Sequence, residues 1–118
     1  MKTIQPRELE RLRQTSQPVE ILDIRPRSEF ENEHIDGVHS LPSAELSPET
    51  LLSSRQLLAT EPLYLVSESG ALAQLTACEL ERRGLNNVVI VAGGMCGWRC
   101  QGLSTVKSDR TGLIGAWD

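Results

Sequence analysis

The stretch LVSESGALA, residues 65 to 73, decides the architecture of this chain. Leu65 and Val66 close an apolar run, SerGluSerGly makes a short turn, and AlaLeuAla opens a helical pattern. A buried strand running through a short loop into a helix is the unit from which parallel sheets are built. Such a turn collects backbone N–H groups at the helix start, a place suited to a nucleophile or an anion. Here it holds Ser67 and Glu68, with neither cysteine nor arginine.

The same alternation extends in both directions. Thr3 and Ile4 suit a short edge strand, and Pro6 suits the first turn of a helix carrying Leu9 and Leu12 as a narrow apolar stripe. VEILDI, residues 19 to 24, reads as a buried strand; SEFE at 28 to 31 has capping-box spacing and predicts a helical turn starting at Ser28. VHSL at 38 to 41 is a further short strand, limited by Pro42. SPE at 47 to 49 predicts a helix running to about Leu58, and LYLV at 63 to 66 the next strand. A helix spans Gly70 to Arg83, with Ala73, Ala77 and Leu80 on one face and Gly84 as its stop. VVIV at 88 to 91 is the last strand, and Gly93 and Gly94 lead into a short helix around Trp98. The strands are continuous apolar runs, so the prediction is a three-layer α/β/α fold with a mainly parallel sheet covered on both faces. In such folds ligands bind beyond the carboxyl ends of the strands, which selects the loops after Ile24, Val66 and Val91.

Length and composition narrow the class. The 118 residues suit one domain, read as residues 1 to 105 with a tail or linker at 106 to 118, where Leu113 to Gly115 and Trp117 are available for docking. A net charge of -4 offers no attraction for nucleic acid or anionic membrane. The chain has no run of the roughly 20 apolar residues that a membrane helix needs, and its start lacks a signal-peptide core. Cys78, Cys96 and Cys100 are too few and too clustered for a secreted disulfide framework, so the expectation is free thiols in the cytoplasm.

Two stretches, in this order, carry a family likeness. ILDIRPRSEFENEHIDGVHSLP at 21 to 42 and LNNVVIVAGGMCGW at 85 to 98 resemble the two signatures of a single rhodanese-homology domain, over about residues 3 to 105. The resemblance implies a five-stranded sheet and a site in the loop after the fourth strand. In active members that loop reads Cys-Arg-x-Gly-x-Arg, or close to it. Its thiolate attacks the outer sulfur of a donor such as thiosulfate and carries it as a persulfide. Backbone N–H groups depress the thiol pKa, and arginine holds the anionic donor.

Carried over by position, the cysteine falls on Ser67, the arginine on Glu68 and the glycine on Gly70, with Ser69 and Ala71 between; the second basic position falls on Leu72. Serine cannot hold a persulfide. Glu68 opposes an anionic donor by on the order of a few kcal/mol at about 4 Å if unscreened. A phosphatase arrangement, with arginine six positions after the cysteine, fails at Ala73. The expected function is therefore a rhodanese-like module without sulfurtransferase activity, binding a protein or a small anionic ligand at the old active loop and needing no cofactor.

Other readings use the remaining residues. Cys96, in the loop after the last strand, is a candidate relocated sulfur acceptor; the plainer reading is a small residue packed at a helix start. An engineered Cys→Ser form of an active enzyme would explain Ser67 but not Glu68 and Leu72. A silent half of a larger protein would suit the tail. A serine hydrolase needs a base, and His34 and His39 are the only histidines, with no GlyXaaSerXaaGly elbow. No zinc spacing is present, so no metal is expected. Cys78 is expected as a buried or half-buried bystander. Asp23 and Arg25 match the family's Asp-Val-Arg and imply a structural ion pair. Trp98 is expected to cap the core, and Glu29, Glu31, Glu33 and Asp36 to form a solvated face, with a protein-binding face as the alternative reading.

Overall fold

The computed structural model describes residues 2–15, 19–46, 49 and 62–108. In chain order these form β1 (Lys2–Ile4), α1 (Pro6–Arg13), β2 (Glu20–Asp23), α2 (Arg27–Asn32), β3 (His39–Ser40), a 3-10 turn (Ser43–Glu45), β4 (Leu63–Val66), α3 (Ala71–Arg82), β5 (Val88–Val91) and α4 (Gly94–Cys100). The helix predicted over 47 to 58 lies outside the described residues, apart from Glu49. The five strands make one sheet in the order β1-β5-β4-β2-β3, and every pairing is parallel.

Strand alternation divides the core into two layers. Leu22, Leu63, Leu65, Val88 and Ile90 face α3, where they meet Ala73, Ala77 and Leu80. Ile21, Tyr64, Val66, Val89 and Val91 face the other side and meet Leu9 of α1 with Met95 and Trp98 of α4. All four residues of β4 and of β5 are therefore buried, as the unbroken apolar runs require. α3 stops in a Schellman turn. Gly84 takes φ +101°, its N–H bonds the Glu81 carbonyl, and the Leu85 N–H bonds that of Leu80.

Local details differ from expectation in three places. α2 begins at Arg27 with Pro26 as its cap residue, so Ser28 lies inside the first turn and no side chain caps this helix. Proline's fixed φ enters a helix without help, so the cap falls on Pro26, two residues before Ser28. On α1 Pro6 and Leu9 are buried; Leu12 is 37% exposed, because an eight-residue helix at the sheet margin presents only a narrow face to the core. Cys78, expected to be at least half-buried, is exposed on α3. The segment after α4 returns to the body: His34 and Val106 exchange backbone hydrogen bonds, and the Ser108 N–H reaches the Glu31 carbonyl. Among the described residues no helix is long and apolar enough to cross a membrane.

Candidate functional site

The carboxyl end of β4 leads through residues 67 to 70 into α3, and this loop is welded to the start of α4. The N–H groups of Met95 and Cys96 donate to the carbonyls of Ser67 (2.8 Å) and Glu68 (2.9 Å). Gly94, at φ +56°, allows the approach: a β-carbon there would overlap the Ser67 carbonyl oxygen. Gly70 caps α3 in the left-handed region at φ +100°. The glycines that gave the sequence its turn signals thus bring two helix starts together at one strand end.

Ser67 is buried at 1% exposure. Its Oγ accepts from the Gly70 N–H at 3.0 Å and the Ala73 N–H at 3.2 Å. Two backbone donors converging on one atom at the head of a 12-residue helix form a cradle for electron density. Ser69, Ala71 and Leu72 are exposed around it.

Glu68 turns away from the cradle into a cluster of charges. Its carboxylate accepts from Arg99 Nη1 at 2.8 Å and Nη2 at 3.2 Å, and Arg25 Nη1 lies 3.4 Å from Oε1. The Cys96 thiol donates to Oε2 at 3.3 Å. The Arg99 hydrogen bonds, joined by that of Cys96 and the charges of both arginines, hold the Glu68 carboxyl down at about 2. The same contact pushes the Cys96 thiol above its ordinary value, because an accepting carboxylate favours the protonated form.

Both arginines are held by other groups as well. Arg99 Nε donates to Glu33 Oε1 at 2.7 Å, and Glu33 Oε2 accepts from Thr105 at 2.7 Å. Arg25, only 3% exposed, grips Asp23 through Nε and Nη2, and its Nη2 also donates to the Glu33 carbonyl at 2.5 Å. Thus Asp23 and Arg25 meet as a buried pair beside the loop. Glu33 leaves the solvated acidic face to which the sequence assigned it, since hydrogen bonds from Thr105 and then Arg99 lower its carboxyl pKa and fix its orientation.

Arg99 is the site residue that sequence reasoning missed. It sits one helical turn after Cys96, and the i, i+3 spacing was the available signal. The histidines have other partners: His34 Nδ1 bonds the Phe30 carbonyl at 2.7 Å with its ring stacked on Phe30, and His39 faces Glu20. Trp98 is buried and donates to the Ser104 carbonyl at 2.9 Å. Among the described residues no group of three metal-ligating side chains comes together.

Comparison with known proteins fits this geometry. A family profile described as rhodanese-like domain matches residues 5–100. The uncharacterized protein slr1261 of Synechocystis is 35% identical over 109 residues, covering 90% of this chain and 56% of that protein. The adenylyltransferase and sulfurtransferase UBA4 of Meyerozyma guilliermondii is 30% identical over 82 residues, covering 66% of this chain and 19% of that protein. This chain therefore spans about half or less of the length of these relatives. The solution structure of the rhodanese-like domain from Anabaena Alr3790 shares the fold, with a TM-score of 0.78 at 24% identity over 100% of this chain and 89% of that one. With its profile match across most of the sequence and its relation to sulfurtransferase proteins, the chain belongs to the rhodanese-like domain family.

Proposed function

We propose that this domain does not transfer sulfur and serves as a binding or regulatory module, with residues 67 to 72 as its ligand-facing loop. The observation that carries the reading is the identity of the atom in the cradle. Gly70 and Ala73 point their N–H groups at the hydroxyl of Ser67, where a sulfur carrier needs a thiolate. An alcohol neither ionises near neutral pH nor holds a transferable sulfur.

The surroundings support the same reading. Glu68 replaces the cation expected beside the nucleophile. A Cys→Ser exchange in an otherwise active enzyme does not account for a glutamate clamped by its own arginine. Cys96 is the alternative thiol, since its backbone N–H bonds the loop. Its hydrogen bond to Glu68 raises its pKa, the wrong direction for a nucleophile. The partner in this reading is a protein or a small anionic ligand. Three free, exposed cysteines suit a reducing compartment such as the cytoplasm.

The test is peptide mass spectrometry after incubation with thiosulfate, with a cyanide wash as control. The expected result is no cyanide-removable sulfur on Cys78, Cys96 or Cys100. Added sulfur on Cys96, released as thiocyanate, would overturn the reading in favour of a relocated sulfurtransferase site.

A further inference from the structure

We propose that Glu68 is a resident ligand: its carboxylate fills a two-arginine oxyanion site, and an incoming small oxyanion must displace it. This rests on the loop being a binding element and adds the chemical class it takes and the contact that inhibits it.

The geometry separates the cradle from its occupant. Three guanidinium nitrogens converge on the Glu68 carboxylate: Nη1 and Nη2 of Arg99 and Nη1 of Arg25. Neither arginine depends on Glu68 for its place. Arg99 is tied through Nε to Glu33, itself fixed by Thr105. Arg25 is buried, gripped by Asp23 and bonded to the Glu33 carbonyl. Truncating Glu68 thus leaves both forks held, with their unused N–H groups aimed at the vacated space. Forked guanidinium donors suit sulfate, sulfur oxyanions and carboxylates.

The occupant, by contrast, is removable. The Glu68 side chain is 45% exposed and enters from the loop, so it can swing into solvent without disturbing the core. A carboxylate tethered to the site competes at high effective concentration with any free anion. Occupancy by Glu68 for about nine-tenths of the time would weaken the apparent affinity for an external oxyanion by roughly tenfold.

The experiment titrates inorganic sulfate into the full chain and its variants at low ionic strength, followed by calorimetry and by the Nε–H resonances of Arg25 and Arg99. Glu68→Ala should bind sulfate saturably, at least about tenfold more tightly than the native chain. Arg99→Gln in that background should abolish the gain. Glu68→Gln, which keeps the side chain's shape without its charge, should fall between, and it decides the question by the same comparison if Glu68→Ala fails to fold. Sulfate binding no tighter in the variants than in the native chain, or a gain that survives Arg99→Gln, overturns the proposal. Sulfate carries no transferable sulfur, so these results are independent of any persulfide found on Cys96. The two readings can therefore fail separately.

Discussion

Substituting Gly94 with alanine tests whether the weld between the Ser67 loop and α4 organises the site. Two costs add at this position. Alanine in the left-handed region costs about 1 kcal/mol. Its β-carbon would also overlap the Ser67 carbonyl and lie 2.8 Å from that of Glu68, both rigid backbone. Relief requires α4 to withdraw from the loop, which breaks the hydrogen bonds from Met95 and Cys96, each worth about 1 kcal/mol. The sum is about 3 kcal/mol, a large share of a small domain's stability. Gly84→Ala is the matched control. At φ +101° with nothing within 4 Å of the added methyl, it carries the conformational cost alone, about 1 kcal/mol. Urea unfolding followed by circular dichroism measures both, with a change in midpoint at constant slope reporting stability. If Gly94→Ala loses no more than Gly84→Ala, the close approach of α4 to the loop is not what holds the site, and the reasoning fails.

Other outcomes follow from the charge cluster. Arg25→Met leaves Asp23 buried and unpaired and should cost about 3–5 kcal/mol in the same unfolding assay; a loss under about 1 kcal/mol would mean that water reaches Asp23. The Glu68 carboxyl is depressed to about 2 in the folded chain, so its stabilisation is present above the unfolded value of about 4.3 and is lost as pH falls toward 2. Comparing acid unfolding of native and Glu68→Gln chains should therefore show their stability difference shrinking between these limits; a constant difference would contradict the assignment. Alkylation of Cys96 by iodoacetamide at pH 8 should accelerate about threefold or more in Glu68→Gln, because removal of the negative charge favours the thiolate. An unchanged rate would remove Glu68 as the cause of the thiol's shift.

The centre of the sheet was legible because β4 and β5 are buried on both faces: LYLV and VVIV carry no charged residue, and each is flanked by a helix signal. The loop was legible for a related reason, since Gly70, Gly93 and Gly94 mark sharp backbone turns that few other residues permit. The sequence did not disclose the pairing of Glu68 with Arg99, which lie 31 positions apart and meet only because β5 lies beside β4 in the sheet. Glu33 was assigned to solvent for the same reason. A charge on a polar stretch reads as solvated until folding supplies a counter-ion from elsewhere. The start of α2 was misplaced by one residue because two local rules, the capping box and proline's fixed φ, competed over Pro26 and Ser28.

The strand order has a consequence for how the chain is made. β1 is the first strand of this domain in chain order, and among the described residues its one neighbour in the sheet is β5, with Lys2 set against Val89. No hairpin can hold β1 meanwhile, because all the pairings are parallel and each needs a crossover. The amino-terminal strand must wait, unpaired, until nearly the whole domain has been synthesised. Such long-range closure slows folding relative to local pairing. A brief edge strand, three residues with Lys2 exposed, leaves little apolar surface to mispair during that wait. Fusions or truncations at the amino terminus should therefore act on the last step of assembly, after the β2–β4–β5 core has formed.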